Sequence, residues 1–170
     1  MTISKLLSRT VLFMMGVAMV LTAVRCSNEV YAQNSPESEA LISRAVETQS
    51  YVFKAQTVMP SSGRTRQLNT DYDLRVSKDS VASWLPYFGR AYQAPLDPTK
   101  GGIQFNSTDF EYNTSQRNDG WEITIKPKDT RDVQELFLTV FKNGSATLRV
   151  SSISRQPISF GGIVTTGKVG

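Results

Sequence analysis

The sequence predicts a mainly β fold, an antiparallel barrel or strongly curved half-barrel of about eight strands with one N-terminal α-helix packed across it. Three observations predict it. Apolar side chains recur at every second position through most of the chain after residue 50, Gly-containing turn clusters separate these runs, and only the stretch before residue 50 has a helical period.

In Ser35-Pro36-Glu37 a capping hydroxyl precedes a first-turn proline and a first-turn acid. Leu41, Ile42, Ala45 and Val46 follow at helical spacing, so one amphipathic helix is expected from about 36 to 49. The period then changes to two. Tyr51, Phe53 and Ala55 share one face, and Leu68, Thr70, Tyr72, Leu74 and Val76 alternate with Asn69, Asp71, Asp73 and Arg75. The alternation returns in Phe110 and Tyr112, in Trp121, Ile123 and Ile125, and in Ala146, Leu148 and Val150. Residues 136–141 are apolar on both faces and suggest a strand covered on both sides. Ser61-Ser62-Gly63, Asn118-Asp119-Gly120 and above all Asn143-Gly144 supply the turns. One long irregular stretch runs from Ala94 to Gly102.

The chain has 170 residues, 39% apolar and 20% charged, which suits one globular domain. It contains no His, and its one Cys is Cys26. Catalytic triads built on His, His-ligated metals and dithiol redox motifs are therefore closed to it, and no cofactor is implied. The formal net charge is +4, of which residues 1–32 carry +2 through Lys5, Arg9 and Arg25 against Glu29. The remainder has 16 basic and 14 acidic side chains, interspersed, with no basic block to follow a phosphate backbone, so nucleic acid is not an expected partner.

Lys5 and Arg9 precede an uncharged apolar run of 14 residues, Val11 to Val24, which has the form of a secretory signal and is shorter than the about 20 residues a membrane span requires. Val30 and Ala32 stand at the small-residue positions of a cleavage site, so the mature chain is expected to begin at Gln33. The alternative is lipidation at Cys26, which would tether the protein to the membrane, although Arg25 is a poor residue to precede a lipidated Cys. The expected organisation is a signal peptide over 1–32, a linker and helix over 33–50, a β domain over 51–164 and a tail over 165–170. The expected location is the periplasm or cell envelope.

Several stretches carry a family resemblance: Ala55-Gln56-Thr57, Gln67-Leu68-Asn69-Thr70-Asp71-Tyr72-Asp73-Leu74, Leu85-Pro86-Tyr87-Phe88-Gly89-Arg90-Ala91-Tyr92, Gly101-Gly102-Ile103-Gln104-Phe105, Trp121-Glu122-Ile123-Thr124-Ile125-Lys126-Pro127 and Gln156-Pro157-Ile158-Ser159-Phe160. Together they resemble the Bacteroidetes family known as domain of unknown function 4251, over most of residues 40–164. The resemblance implies an exported envelope protein and no particular activity, because the family has no assigned catalytic or binding residues to carry over.

Trp84, Tyr87, Phe88, Arg90 and Tyr92 form the densest unusual segment, four aromatics and one Arg within nine residues. Aromatic faces beside a guanidinium can clamp a sugar, a peptide or a headgroup, while the plainer reading makes the aromatics a plug for one barrel end with Pro86 and Gly89 shaping a corner. Arg64 and Arg66 flank Thr65, and as two cations on one face they could hold a carboxylate or phosphate, or simply form a solvated strand end. Asp71 with Asp73, and Asp109 with Glu111, sit at a strand spacing of about 7 Å, which suits acid and base work on a glycosidic bond or calcium binding, and equally suits an ordinary solvent face. Lys126 to Asp132 reads as a polar connection, and Gly161-Gly162 as a bulge or strand end. The functional expectation is a non-enzymatic envelope binding module for a small amphipathic ligand or a protein partner. A hydrolase working through Asp71 and Asp73, or a structural component of an outer-membrane assembly, are the alternatives.

Overall fold

The computed structural model describes residues 36–92 and 101–166. The expected leader, Cys26, the Ala32–Gln33 junction and Ser35 lie outside the described residues. Helix α1 (Pro36–Glu47) buries Ile42, Ala45 and Val46, with Glu37 and Glu39 in its first turn and Arg44 in its last, each suited to the helix dipole there. Nine strands follow: β1 (Tyr51–Pro60), β2 (Arg66–Val76), β3 (Val81–Leu85), β4 (Ile103–Ser107), β5 (Phe110–Arg117), β6 (Gly120–Pro127), β7 (Val133–Phe141), β8 (Ser145–Ser152) and β9 (Ile158–Thr165). They form one sheet in the order β4-β3-β2-β1-β9-β8-β7-β6-β5, with every pairing antiparallel.

The pairings explain why nine strands occur where about eight are expected from the sequence pattern. Passing from β4 to β5 along the sheet crosses an even number of antiparallel ladders, so the two strands run in the same direction. Only Thr108 and Asp109 separate them in sequence. They are thus two halves of one bent strand, the first pairing with β3 and the second with β6, and the sheet curls into a nearly closed barrel. Asp129 holds the bend. Its carboxylate accepts from the Ser107 hydroxyl, from Thr108 N at 2.9 Å and from Asp109 N at 3.3 Å. These hydrogen bonds, the Ser107 hydroxyl first, hold the Asp129 carboxyl below its ordinary range.

The inward face is mainly apolar, with Ser83 buried on it and donating to the Ile103 carbonyl at 2.9 Å. Tyr51, Phe53, Leu74, Ile123, Ile125, Leu136, Leu138, Leu148 and Phe160 are all sealed from solvent. Across the curl, the Tyr51 and Tyr112 hydroxyls lie 3.4 Å apart, and Tyr112 donates to the Val46 carbonyl of α1 at 3.3 Å. Burial pushes both phenols up, so both stay neutral inside the barrel. The strand directions put the β2–β3, β5–β6 and β7–β8 turns at the same end as α1, where Lys142 pairs with Glu39 at 2.9 Å. The β1–β2, β3–β4, β6–β7 and β8–β9 connections gather at the opposite end.

Two sequence expectations change. Strand β7 is not covered on both faces: Leu136, Leu138 and Val140 are buried, while Phe137 on the other face remains 36% exposed. The alternation from Leu68 onward breaks as well. Pairing of β1 jumps from Ala55–Tyr72 to Thr57–Gln67, which leaves residues 68–71 outside that ladder, with Thr70 exposed. The same irregularity faces Gly161 and Gly162 on β9. A Cβ at Gly162 would come within 2.0 Å of the Lys54 carbonyl oxygen, so the close strand approach requires glycine there.

Candidate functional site

At the end of the barrel opposite α1, the segment after β3 folds back along the β8–β9 connection. Tyr92 N donates to Ser154 O at 2.7 Å, Gln156 N donates to Arg90 O at 3.2 Å, and Ala91 bridges Arg155. Pro86 is buried beneath this segment. Tyr87 turns inward: its hydroxyl donates to Arg90 O at 2.8 Å with Gln156 O at 3.2 Å, and burial pushes the phenol up, which keeps it a donor. Gly89 makes room for that ring, since a Cβ there would lie 2.6 Å from the Tyr87 hydroxyl.

Arg155 lies over the Tyr87 ring at 5.1 Å, pairs with Asp132 at 3.1 Å and donates to the carbonyls of Gly101 at 3.1 Å and Gly102 at 3.0 Å. Asp132 in turn accepts from Ser154 N at 3.1 Å and from the Ser154 hydroxyl. One guanidinium therefore ties three connections together at this end. Neither Arg155 nor Asp132 stands out in the sequence, because their roles arise only when the β6–β7 and β8–β9 connections meet.

The cluster singled out in the sequence divides into separate parts. Arg64, Arg66, Phe88 and Arg90 line one open groove of about 540 Å3, together with Pro60, Ser62, Gly63 and Gly89. Arg66 lies over the Phe88 ring at 5.4 Å. One wall is the β1–β2 turn, anchored by Ser61 donating to the Pro157 carbonyl and by Ser62 Oγ 3.4 Å from Gln156 Oε1; the other is the Phe88–Arg90 backbone. Among the described residues, no carboxylate lines the groove and none of its three guanidiniums has an ion-pair partner. Tyr87 is a support beneath it. Tyr92 is 67% exposed outside it, and Trp84 projects from the outer face of β3, 53% exposed.

The acidic pairs behave differently. Asp73 is engaged by Arg75 at 3.0 Å, and Asp71 lies in the part of β2 that the β1 ladder skips. Glu111 pairs with Lys128 at 3.0 Å, the main reason its carboxyl is held below its ordinary range, while Asp109 serves the bend through its backbone. Among the described residues, no cluster of three acidic or thiol ligands could hold a metal ion.

The family model described as Domain of unknown function (DUF4251) matches residues 33–164. The chain belongs to the DUF4251 family. Among solved structures, a DUF4251 family protein from Bacteroides eggerthii DSM 20697 is similar at 18% identity, covering 75% of this chain and 87% of that chain, with a TM-score of 0.49. No curated protein matches. Membership of DUF4251 assigns no activity, so the chemistry of this member has to be argued from its own groove.

Proposed function

We propose that the protein is an exported envelope module that binds a small amphipathic anion without transforming it. The observation that carries this reading is the groove with one aromatic face and three guanidiniums that, among the described residues, have no ion-pair partner and no carboxylate beside them. An acid group placed between Arg64, Arg66 and Arg90 would gain charge-assisted hydrogen bonds, and an apolar or planar portion would rest on Phe88. The Asp73–Arg75 ion pair argues against a hydrolase that works through Asp71 and Asp73. An anionic segment of an envelope protein has the same chemistry and is the second reading. Export rests on the charged and apolar pattern of residues 1–32.

Native mass spectrometry of the protein isolated from its own periplasm tests the reading. A bound mass is expected with the wild type and not with Arg64→Ala/Arg66→Ala/Arg90→Ala. The same mass on both, or a bare protein in both, contradicts it.

A further inference from the structure

A depression on the outer surface of β2, β3 and β4 shares no lining residue with the cationic groove and has a different chemistry. Cross-strand register places Trp84 between Asp73 on β2 and Gln104 on β4, and the next outward row is Arg75, Ala82 and Asn106. Trp84 belongs to a strand paired on both sides, so its position is fixed by the ladder rather than by a loop. Even so, it is 53% exposed, and its indole N–H has no hydrogen-bond partner among the described residues. The small Ala82 beside it leaves a shallow depression of about 470 Å3, also lined by Asp71, Asp73, Arg75 and Gln104. An exposed indole held rigidly by the ladder offers a flat apolar face together with a free N–H donor.

The polar groups around the indole define what could cover it. Asp73 and Arg75 are paired at 3.0 Å, which presents a planar acceptor and a planar donor side by side, and Gln104 and Asn106 add amides that donate and accept. With Asp71, the surface carries two carboxylates against one guanidinium. A nucleic acid could stack on the indole, but its phosphates would meet this negative surplus. An acyl chain would find a rim of polar groups instead of apolar walls. An uncharged, polyhydroxylated ring fits the indole face and the mixed donors and acceptors around it. Its C–H face covers the indole, and its hydroxyls exchange hydrogen bonds with planar side chains that both donate and accept.

We infer that this outer sheet face around Trp84 is a second binding site, for a neutral glycan chain, independent of the anion groove. The ring stacks on Trp84, with Asp73, Arg75 and Gln104 fixing its hydroxyls. The depression is open at the surface, so an internal segment of a longer chain fits as well as an end.

The other tryptophan, Trp121, is 6% exposed in the core, so a change in tryptophan emission on ligand addition reports Trp84. The test titrates the protein with short uncharged oligosaccharides built from glucose, mannose, galactose and N-acetylglucosamine, followed by fluorescence and calorimetry. At least one is expected to bind with a blue shift of the emission. Trp84→Ala should weaken its binding roughly tenfold or more, while the circular dichroism spectrum and melting temperature stay close to wild type. Gln104→Ala should weaken it less, and Arg64→Ala/Arg66→Ala/Arg90→Ala should not affect it. The inference is overturned if none of these sugars binds at millimolar concentration, if Trp84→Ala binds as the wild type does, or if only an oligonucleotide binds.

Discussion

Gly144 shows how one residue can fix a hairpin. Its φ is +81°, its N–H donates to Phe141 O at 2.9 Å, and Asn143 Oδ1 accepts from Ser145 N at 3.0 Å. Gly144→Val forces a β-branched side chain into the left-handed region and should cost about 1–3 kcal/mol in chemical denaturation, whereas Gly144→Asn should cost clearly less, because Asn tolerates positive φ. Asp129 makes a pH-dependent contribution. Its folded carboxyl is held below the ordinary range by the Ser107 and Thr108 hydrogen bonds, so its contribution is complete above the unfolded value and disappears as pH falls through the folded one. Asp129→Asn should therefore lower the denaturation midpoint at neutral pH. The gap from wild type should persist down to about pH 4 and shrink only below it. A gap that is constant at all pH values would remove Asp129 from the account of the bend.

At the scale of elements, Tyr87 distinguishes support from site. Its hydroxyl joins the segment after β3 to the β8–β9 connection, and Arg155 caps its ring. Tyr87→Phe should cost about 1 kcal/mol for the lost hydrogen bond, and Tyr87→Ala about 3 kcal/mol or more, both read as falls in melting temperature. A stable Tyr87→Ala protein that has lost binding would instead put this ring in the groove. The helix, the Asn143-Gly144 turn and the inward residues of β6 and β8 were legible because each follows from local periodicity or turn chemistry. The register jump at residues 68–71, the bend at Thr108–Asp109 and the Arg155–Asp132 pair were not, because each depends on strands distant in sequence. The site was partly legible. Composition marked Arg64, Arg66, Phe88 and Arg90, but only the folded connections bring the first two beside the second two and send Trp84 and Tyr92 elsewhere.

At the scale of the whole molecule, α1 covers one end of the barrel, and the cationic groove lies among the connections at the other. Among the described residues, side chains such as Tyr51, Phe53 and Phe160 pack the interior, and the cationic groove opens at the surface. Export adds a prediction of its own. N-terminal sequencing of the protein from its own cells should begin at Gln33, and an acylated Cys26 in the membrane fraction would show a tethered protein instead.

The proposed binding of an anion in the groove is tested most directly by calorimetric titration with octyl phosphate, using octanol as the uncharged control, on the wild type and on Arg64→Ala/Arg66→Ala/Arg90→Ala. Octyl phosphate should bind the wild type, weaken as salt is raised, and lose roughly 100-fold or more in affinity in the variant, while octanol binds neither. Equal binding of octyl phosphate and octanol, no binding of octyl phosphate to the wild type, or unchanged binding by a folded variant would contradict the account.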